Sequence, residues 1–413
     1  MLGTIRRDAS RLVVATGIGY LLAILLAPVL SRLYTPSEFG LYTIFGAVAF
    51  CDAVACLGFD RAVGVARDER SAHTLFVIAL FSVAVVAVLS AGIAWWAAGF
   101  FPSAPLWLWL AVPAYVLSFG TSLALSGLAL RNRAIHRVAA ARVGQAATVP
   151  LSQVLLGMAS NSAPSLVAGQ IAGQVVSAAT YMVKGGGATT ARVRIAEVRQ
   201  LVVEYRHFPS VWVPATLLNS LNLQASLLAV GLLYGAGAAG LYGFGQRIAG
   251  AGVGVISSAV SQAYFAHAAA AVRSCTEVDG LRRHATDVLR SQALLAVPLM
   301  LVLLAAPLWV ELVFGKDWIE SGTYFQLLAA PLAAQLCISP LHAIIDVLQR
   351  PELHVVREVV RFVLTAVVFG VATIADVGIV ATLALYGLGV CLSYALSLGL
   401  IRRAINRTAK AAS

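Results

Sequence analysis

Residues 12–31 read LVVATGIGYLLAILLAPVLS, a run with no charged residue, held between Arg11 and Arg32. About 20 mostly apolar residues are needed to cross the hydrocarbon core of a bilayer as a helix. Working outward from this run, further apolar stretches of similar length follow near 39–59, 74–100, 104–130, 143–161 and 164–183. Others lie near 210–232, 239–262, 288–314, 322–346, 359–375 and 378–401. The pattern predicts an all-α polytopic membrane protein with twelve transmembrane helices. The basic start before Leu12 has the look of a secretory leader. The apolar run is longer than a usual leader core, however, and Arg32-Leu33-Tyr34 follows it in place of a small-residue cleavage site, so it reads as the first span.

Charge orients the chain. Of the 29 Lys and Arg residues, only Arg32 and Lys316 fall on one side if both termini lie on the other, and Arg247 lies inside a span. Excess Lys and Arg mark the cytoplasmic side of a membrane protein. The expected location is the bacterial inner membrane, multi-pass, with cytoplasmic N and C termini. The chain is 60% hydrophobic and 11% charged, against roughly 25% charged in soluble domains. The net charge of +11 is spread over short connections without aromatic interleaving. Contact with anionic headgroups explains it better than nucleic acid does, and no nucleic-acid partner is expected.

Cys51, Cys56, Cys275, Cys337 and Cys391 show no C-x-x-C pair and no metal-ligand spacing. No cofactor or metal is expected. Gly185-Gly186-Gly187 lacks the Lys-Ser/Thr of a phosphate loop and follows no strand, so it reads as a hinge.

The expected organisation is a six-helix bundle over 1–184, an amphipathic linker over 185–209, a second bundle over 210–401 and an irregular basic tail over 402–413. Leu33-Tyr34 followed by Gly40-Leu41-Tyr42 recurs 200 residues later as Leu233-Tyr234 followed by Gly240-Leu241-Tyr242. The matched position in each half predicts parallel repeats about an axis along the membrane normal, enclosing a cavity. Trp95, Trp96, Trp107, Trp109, Trp309 and Trp318 are placed by the sequence in the interfacial aromatic belt.

Pro28 to Tyr42 (PVLSRLYTPSEFGLY), Tyr205 to Gln224 (YRHFPSVWVPATLLNSLNLQ), GLYGFGQR at Gly240 to Arg247 and PLWVELVFGKDWIESG at Pro307 to Gly322 together resemble the Wzx-type polysaccharide flippases. These serve O-antigen, capsule or exopolysaccharide synthesis within the multidrug/oligosaccharidyl-lipid/polysaccharide exporter superfamily. The resemblance implies two six-helix bundles and alternating access. Its implied partners are an undecaprenyl-pyrophosphate-linked oligosaccharide, membrane lipids and a polysaccharide polymerase machinery. The alternatives are a cation-coupled drug exporter of the same superfamily and, from a different class, a membrane polymerase or ligase. The short outer connections argue against an enzyme.

Charges at membrane depth are functional candidates. Arg247 lies about eight residues, roughly 12 Å, into its span, and the family pattern carries an Arg at its position. It is read either as a phosphate ligand or as the partner of a carboxylate such as Asp52. Arg32 reads as a substrate contact or an interfacial anchor, and Arg61 as a pyrophosphate contact or a topology determinant. Asp52 reads as a substrate contact, a titrating coupling group or an ion-pair partner. Asn222 is read as facing sugar hydroxyls or bonding a neighbouring helix. His342 and Asp346, four residues apart, read as a proton relay or as ordinary interior and boundary residues.

Overall fold

The structure is a computed structural model. It describes residues 2–100, 105–183, 195–273, 278–347 and 350–412. The Gly185-Gly186-Gly187 segment, most of the second outer loop, Cys275 and the side chains of Cys51 and Asp346 lie outside the described residues. The described residues form helices joined by turns, and the chain divides into two compact units, Met1–Gly240 and Leu241–Ser413.

In the first unit, α1 (Leu2–Leu33) leads into α2 (Pro36–Val48). The start of α2 follows from Thr35-Pro36-Ser37-Glu38. Thr35 accepts a hydrogen bond from the Glu38 amide at 3.3 Å, and Pro36 occupies a first-turn position that has no donor to lose. A 3-10 helix over Ala49–Val54 and the short α3 (Phe59–Val65) complete the second span. Then come α4 (Glu69–Ala98), α5 (Leu106–Arg131), α6 (Ile135–Ala159), α7 (Ala163–Val183) and the linker helix α8 (Ile195–Glu204). The first arm of α9 (Val213–Arg273) closes the unit; α9 is interrupted at Gly235, with φ 83°.

The second unit holds the rest of α9, then α10 (Val278–Leu304), α11 (Ala306–Phe314) and α12 (Ser321–Ile338). A 3-10 turn over Ser339–His342 precedes α13 (Ala343–Val347), α14 (Pro351–Ile374) and α15 (Ile379–Ala412). Helix occupies each of the twelve expected spans. Eight helical stretches of the described residues are long and apolar enough to cross a membrane.

Three expectations change. The second span is broken instead of continuous. The basic tail is not irregular: α15 runs on to Ala412 because Ala, Arg and Lys are good helix formers and no breaker follows Ile401. Trp109 and Trp318 are 4% and 0% exposed, so neither ring faces lipid headgroups. Trp318 lies against Phe244 with ring centroids 4.3 Å apart, so its indole packs a core where the sequence suggested a belt. Trp95 and Trp96 remain exposed, as a belt requires.

Lipid tails are as apolar as leucine, so apolar surface alone gives helices little reason to associate in a bilayer. Close backbone approach does more. The segments that carry Gly40 and Gly240, residues 36–40 and 236–240, meet each other inside the first unit. A methyl group added at Gly40 would overlap the carbonyl of Ala236, and one at Gly240 would overlap the carbonyl of Pro36. The contact is reciprocal at the same offset of 200 residues. Only glycine fits both positions. Gly46 has open space beside it.

Gly40→Ala and Gly240→Ala should therefore each destabilise the protein by about 1–3 kcal/mol. Gly46→Ala should be neutral or slightly stabilising, because alanine suits a helix better. Thermal unfolding of the purified variants in one detergent tests the ordering; equal melting of Gly40→Ala and Gly46→Ala would refute the steric account.

Candidate functional site at the broken second span

The break begins where α2 tightens into the 3-10 helix and ends at two residues of positive φ, Leu57 (49°) and Gly58 (78°). Left-handed backbone costs a residue with a side chain about 1 kcal/mol or more. Here the chain closes its backbone bonds locally, from Ala55 to Asp52 at 2.9 Å, Leu57 to Val54 at 2.7 Å and Phe59 to Cys56 at 3.0 Å. Such three-residue closures leave few amides without partners in a region that holds no water.

Helix α5 receives this segment. A side chain at Gly120 would press on Ala55 and Val83, and one at Gly127 would overlap the Asp60 carbonyl. The seven-residue spacing puts both glycines on one helix face. Arg131, at the end of α5, donates to the carbonyls of Val63 at 3.1 Å and Ala66 at 2.8 Å, and reaches Glu69 at 3.2 Å. It satisfies orphan carbonyls at the end of α3. The next helix, α4, starts on Asp68, whose carboxylate accepts from the Ser71 amide at 2.7 Å and hydroxyl at 2.9 Å. Those bonds hold the Asp68 carboxyl below its ordinary range.

Arg61, on α3, is exposed, and its guanidinium lies 4.0 Å from the centroid of the Trp212 ring. Trp212 ends a π-helical turn, Phe208–Trp212, a local distortion that recurs at functional sites. Phe208 and Trp212 also press on Gly58, each 3.2 Å from where a side chain would begin. The turn after the linker thus seats on the break, and a cation closes over it. Asp60, one residue before Arg61, is 8% exposed.

Asp52 lies on the 3-10 helix and ends a directed chain of hydrogen bonds. Tyr42 of α2 donates to the Gln170 side-chain carbonyl of α7 at 3.0 Å. Gln170 donates to the Tyr115 hydroxyl of α5, and Tyr115 donates to the Asp52 carboxylate. Each polar group of this largely buried chain is satisfied by the next.

The other expected site residues are spread. Arg32 is exposed at the end of α1, and Asn222 is 2% exposed in the first arm of α9. Arg247 is half-buried in the second unit. His342 lies on the Ser339–His342 turn of that unit, its ring stacked on Tyr394 at 6.3 Å and 17°. Asp346 has its backbone in α13.

Sequence reading missed Tyr115, Gln170 and Trp212. It also missed a polar group in the second unit, where Arg357 donates to the 8%-exposed Glu358 at 3.0 Å and Arg361 bonds Tyr386. The four-residue spacing of Arg357 and Arg361 was the available signal. Among the described residues, no three His, Cys, Asp or Glu gather as metal ligands.

Arg131→Gln should free the end of α3 and cost about 1–3 kcal/mol. Unfolding measured beside the surface variant Arg133→Gln checks this, since a general charge effect would lower both alike.

Comparison with known proteins places this geometry in context. The model of the polysaccharide biosynthesis protein family matches residues 29–323. No curated protein matches the chain in sequence. Among solved structures, the lipid II flippase MurJ in an inward closed conformation is similar with a TM-score of 0.68 at 9% identity, over 96% of this chain and 87% of that one. An inward-facing multidrug resistance MATE family transporter of the MOP superfamily is similar with a TM-score of 0.66 at 12% identity, over 98% and 96%. A MOP superfamily transporter from Pyrococcus furiosus, described by a reversed polarity of its binding pocket, gives 0.57 at 13% identity, over 97% and 95%. At these identities the likeness establishes a shared fold.

Proposed function

Since the chain belongs to the polysaccharide biosynthesis protein family, we propose that it is a flippase. It would move an undecaprenyl-pyrophosphate-linked oligosaccharide from the cytoplasmic to the periplasmic leaflet of the inner membrane, with both termini cytoplasmic. Two six-helix bundles, 1–184 and 210–401, joined by the linker 185–209, would alternate in exposing the headgroup. The family match carries the reading, and the likeness to a lipid II flippase supports it.

Arg61 is the proposed first contact. A guanidinium grips phosphate oxygens through two parallel hydrogen bonds and stays charged. Its present contact with Trp212 is an exposed cation–π interaction, worth about 0.5–1 kcal/mol. Charge-assisted hydrogen bonds contribute about 1.5–3 kcal/mol each. A pyrophosphate therefore outcompetes the indole for Arg61. Trp212 holds the cation in readiness without holding it too tightly. Arg247 and Arg32 would take over the pyrophosphate further along the path, and Asn222 would meet sugar hydroxyls. Asp52, at the end of its tyrosine–glutamine chain, is the proposed coupling group, with His342 and Asp346 as a second candidate pair. A polysaccharide polymerase machinery is the proposed receiving partner. A cation exporter would need free carboxylates, whereas Asp52 already accepts from Tyr115.

Reconstituted liposomes test the mechanism with a fluorescent short-chain polyprenyl-pyrophosphate disaccharide. Arg61→Ala should slow its translocation about tenfold or more, and Asp52→Asn should remove the dependence on an ion gradient. Unchanged rates in Arg61→Ala would sink the proposed role of that residue.

A further inference from the structure

The linker helix and the start of α4 enclose a polar cleft of about 480 Å³, lined by Arg67, Arg70, Glu197, Gln200, Glu204 and Tyr205 among others. That volume falls within the 300–1,000 Å³ of small-molecule sites. We propose that this cleft binds the glycan of the cargo, taking neutral, hydroxyl-rich sugars on the basic side of the first unit. The inference rests on the flippase reading and adds a second binding element to it.

Three observations support it. The first is position. The Tyr205 ring stacks on Phe208 at 6.3 Å and 28°, and Phe208 opens the same π-turn that Trp212 closes beneath Arg61. A pyrophosphate at Arg61 therefore puts the sugar attached to it next to the cleft. The second is chemistry. Arg67 pairs with Glu204 at 3.3 Å and Arg70 with Glu197 at 3.1 Å. Both arginines are more than half exposed, so sugar hydroxyls can insert into these pairs at small cost. The half-buried Tyr205 and the exposed Gln200 complete the mixture of aromatic ring, amide and charged groups that recognises saccharides. The third is charge. Arg67 and Arg70 share the cleft lining with Asp68, Glu197 and Glu204, and Asp68 is held anionic by Ser71. One surplus negative charge disfavours acidic sugars.

The cleft lies outside the spans, and its α8 wall is fixed by the buried Leu201 and by Thr74, which bonds Glu197 at 3.4 Å. The site is thus built before any cargo arrives.

The test compares two probes on purified protein by tryptophan fluorescence. One is bare undecaprenyl pyrophosphate. The other is the lipid-linked oligosaccharide extracted from native cells depleted of this protein. The proposal expects the glycan-bearing lipid to bind about tenfold or more tightly than the bare one. The double variant Gln200→Ala/Glu204→Ala should lose that gain and keep its affinity for bare undecaprenyl pyrophosphate. Equal affinity for both probes, or a gain the variant retains, overturns the glycan cleft and leaves the pyrophosphate reading standing. Loss of both affinities in the variant also overturns it, by making the residues structural. If neither probe binds the unmodified protein, or no lipid-linked oligosaccharide accumulates to be extracted, the flippase reading falls together with the cleft.

Discussion

The interior of a bilayer offers no water, so a span that breaks inside it must find partners for its freed backbone groups within the protein. The second span breaks between Ala49 and Gly58, and much of the first unit is arranged around that fact. Tight turns satisfy most of the backbone locally. Gly120 and Gly127 let α5 approach the remainder closely, Arg131 takes the last carbonyls, and Phe208 and Trp212 cover Gly58. Arg61 stands where it does because α3 restarts after the left-handed turn. A continuous second helix would rotate and displace it.

The same economy governs the rest of the packing. Where apolar surface gives little net attraction, close backbone contact and directed hydrogen bonds define which helices meet. Gly40 and Gly240 supply the first. Tyr42, Gln170, Tyr115 and Asp52 supply the second, tying α2, α5 and α7 together through side chains that lipid could not satisfy. Replacing one member would leave its neighbour without its partner, which is why such chains fix one arrangement in preference to others. Leu308, Leu312 and Ile374, each at least 80% exposed, are what a lipid-facing surface requires.

Helix positions were legible in the sequence because length and hydropathy dictate them in a membrane. The amphipathic linker helix was legible for the same local reasons. The break was not. The stretch AFCDAVACLG contains no proline, and its left-handed turn depends on α5 and on the turn at Phe208, which lie far along the chain. The repeated Leu-Tyr and Gly-Leu-Tyr motif was readable as a repeat, but the close approach of Gly40 to Ala236 and of Gly240 to Pro36 was not. Asp52 and Arg61 were identifiable as charges at or near membrane depth, whereas their partners Tyr115 and Trp212 were not, since nothing local links them. Arg361 falls at the start of the expected span 359–375 and was not singled out as a candidate. Its place ten residues into α14, roughly 15 Å from the helix start, and its bond to Tyr386 emerge only from the packing of α14 on α15.

The central claim is that this chain carries a lipid-linked glycan across the membrane. The most direct measurement is the leaflet-resolved amount of polyprenyl-pyrophosphate-linked oligosaccharide in native cells depleted of the protein. The flippase account predicts accumulation of the complete repeat unit confined to the inner leaflet. Accumulation in the outer leaflet, or none at all, would contradict it.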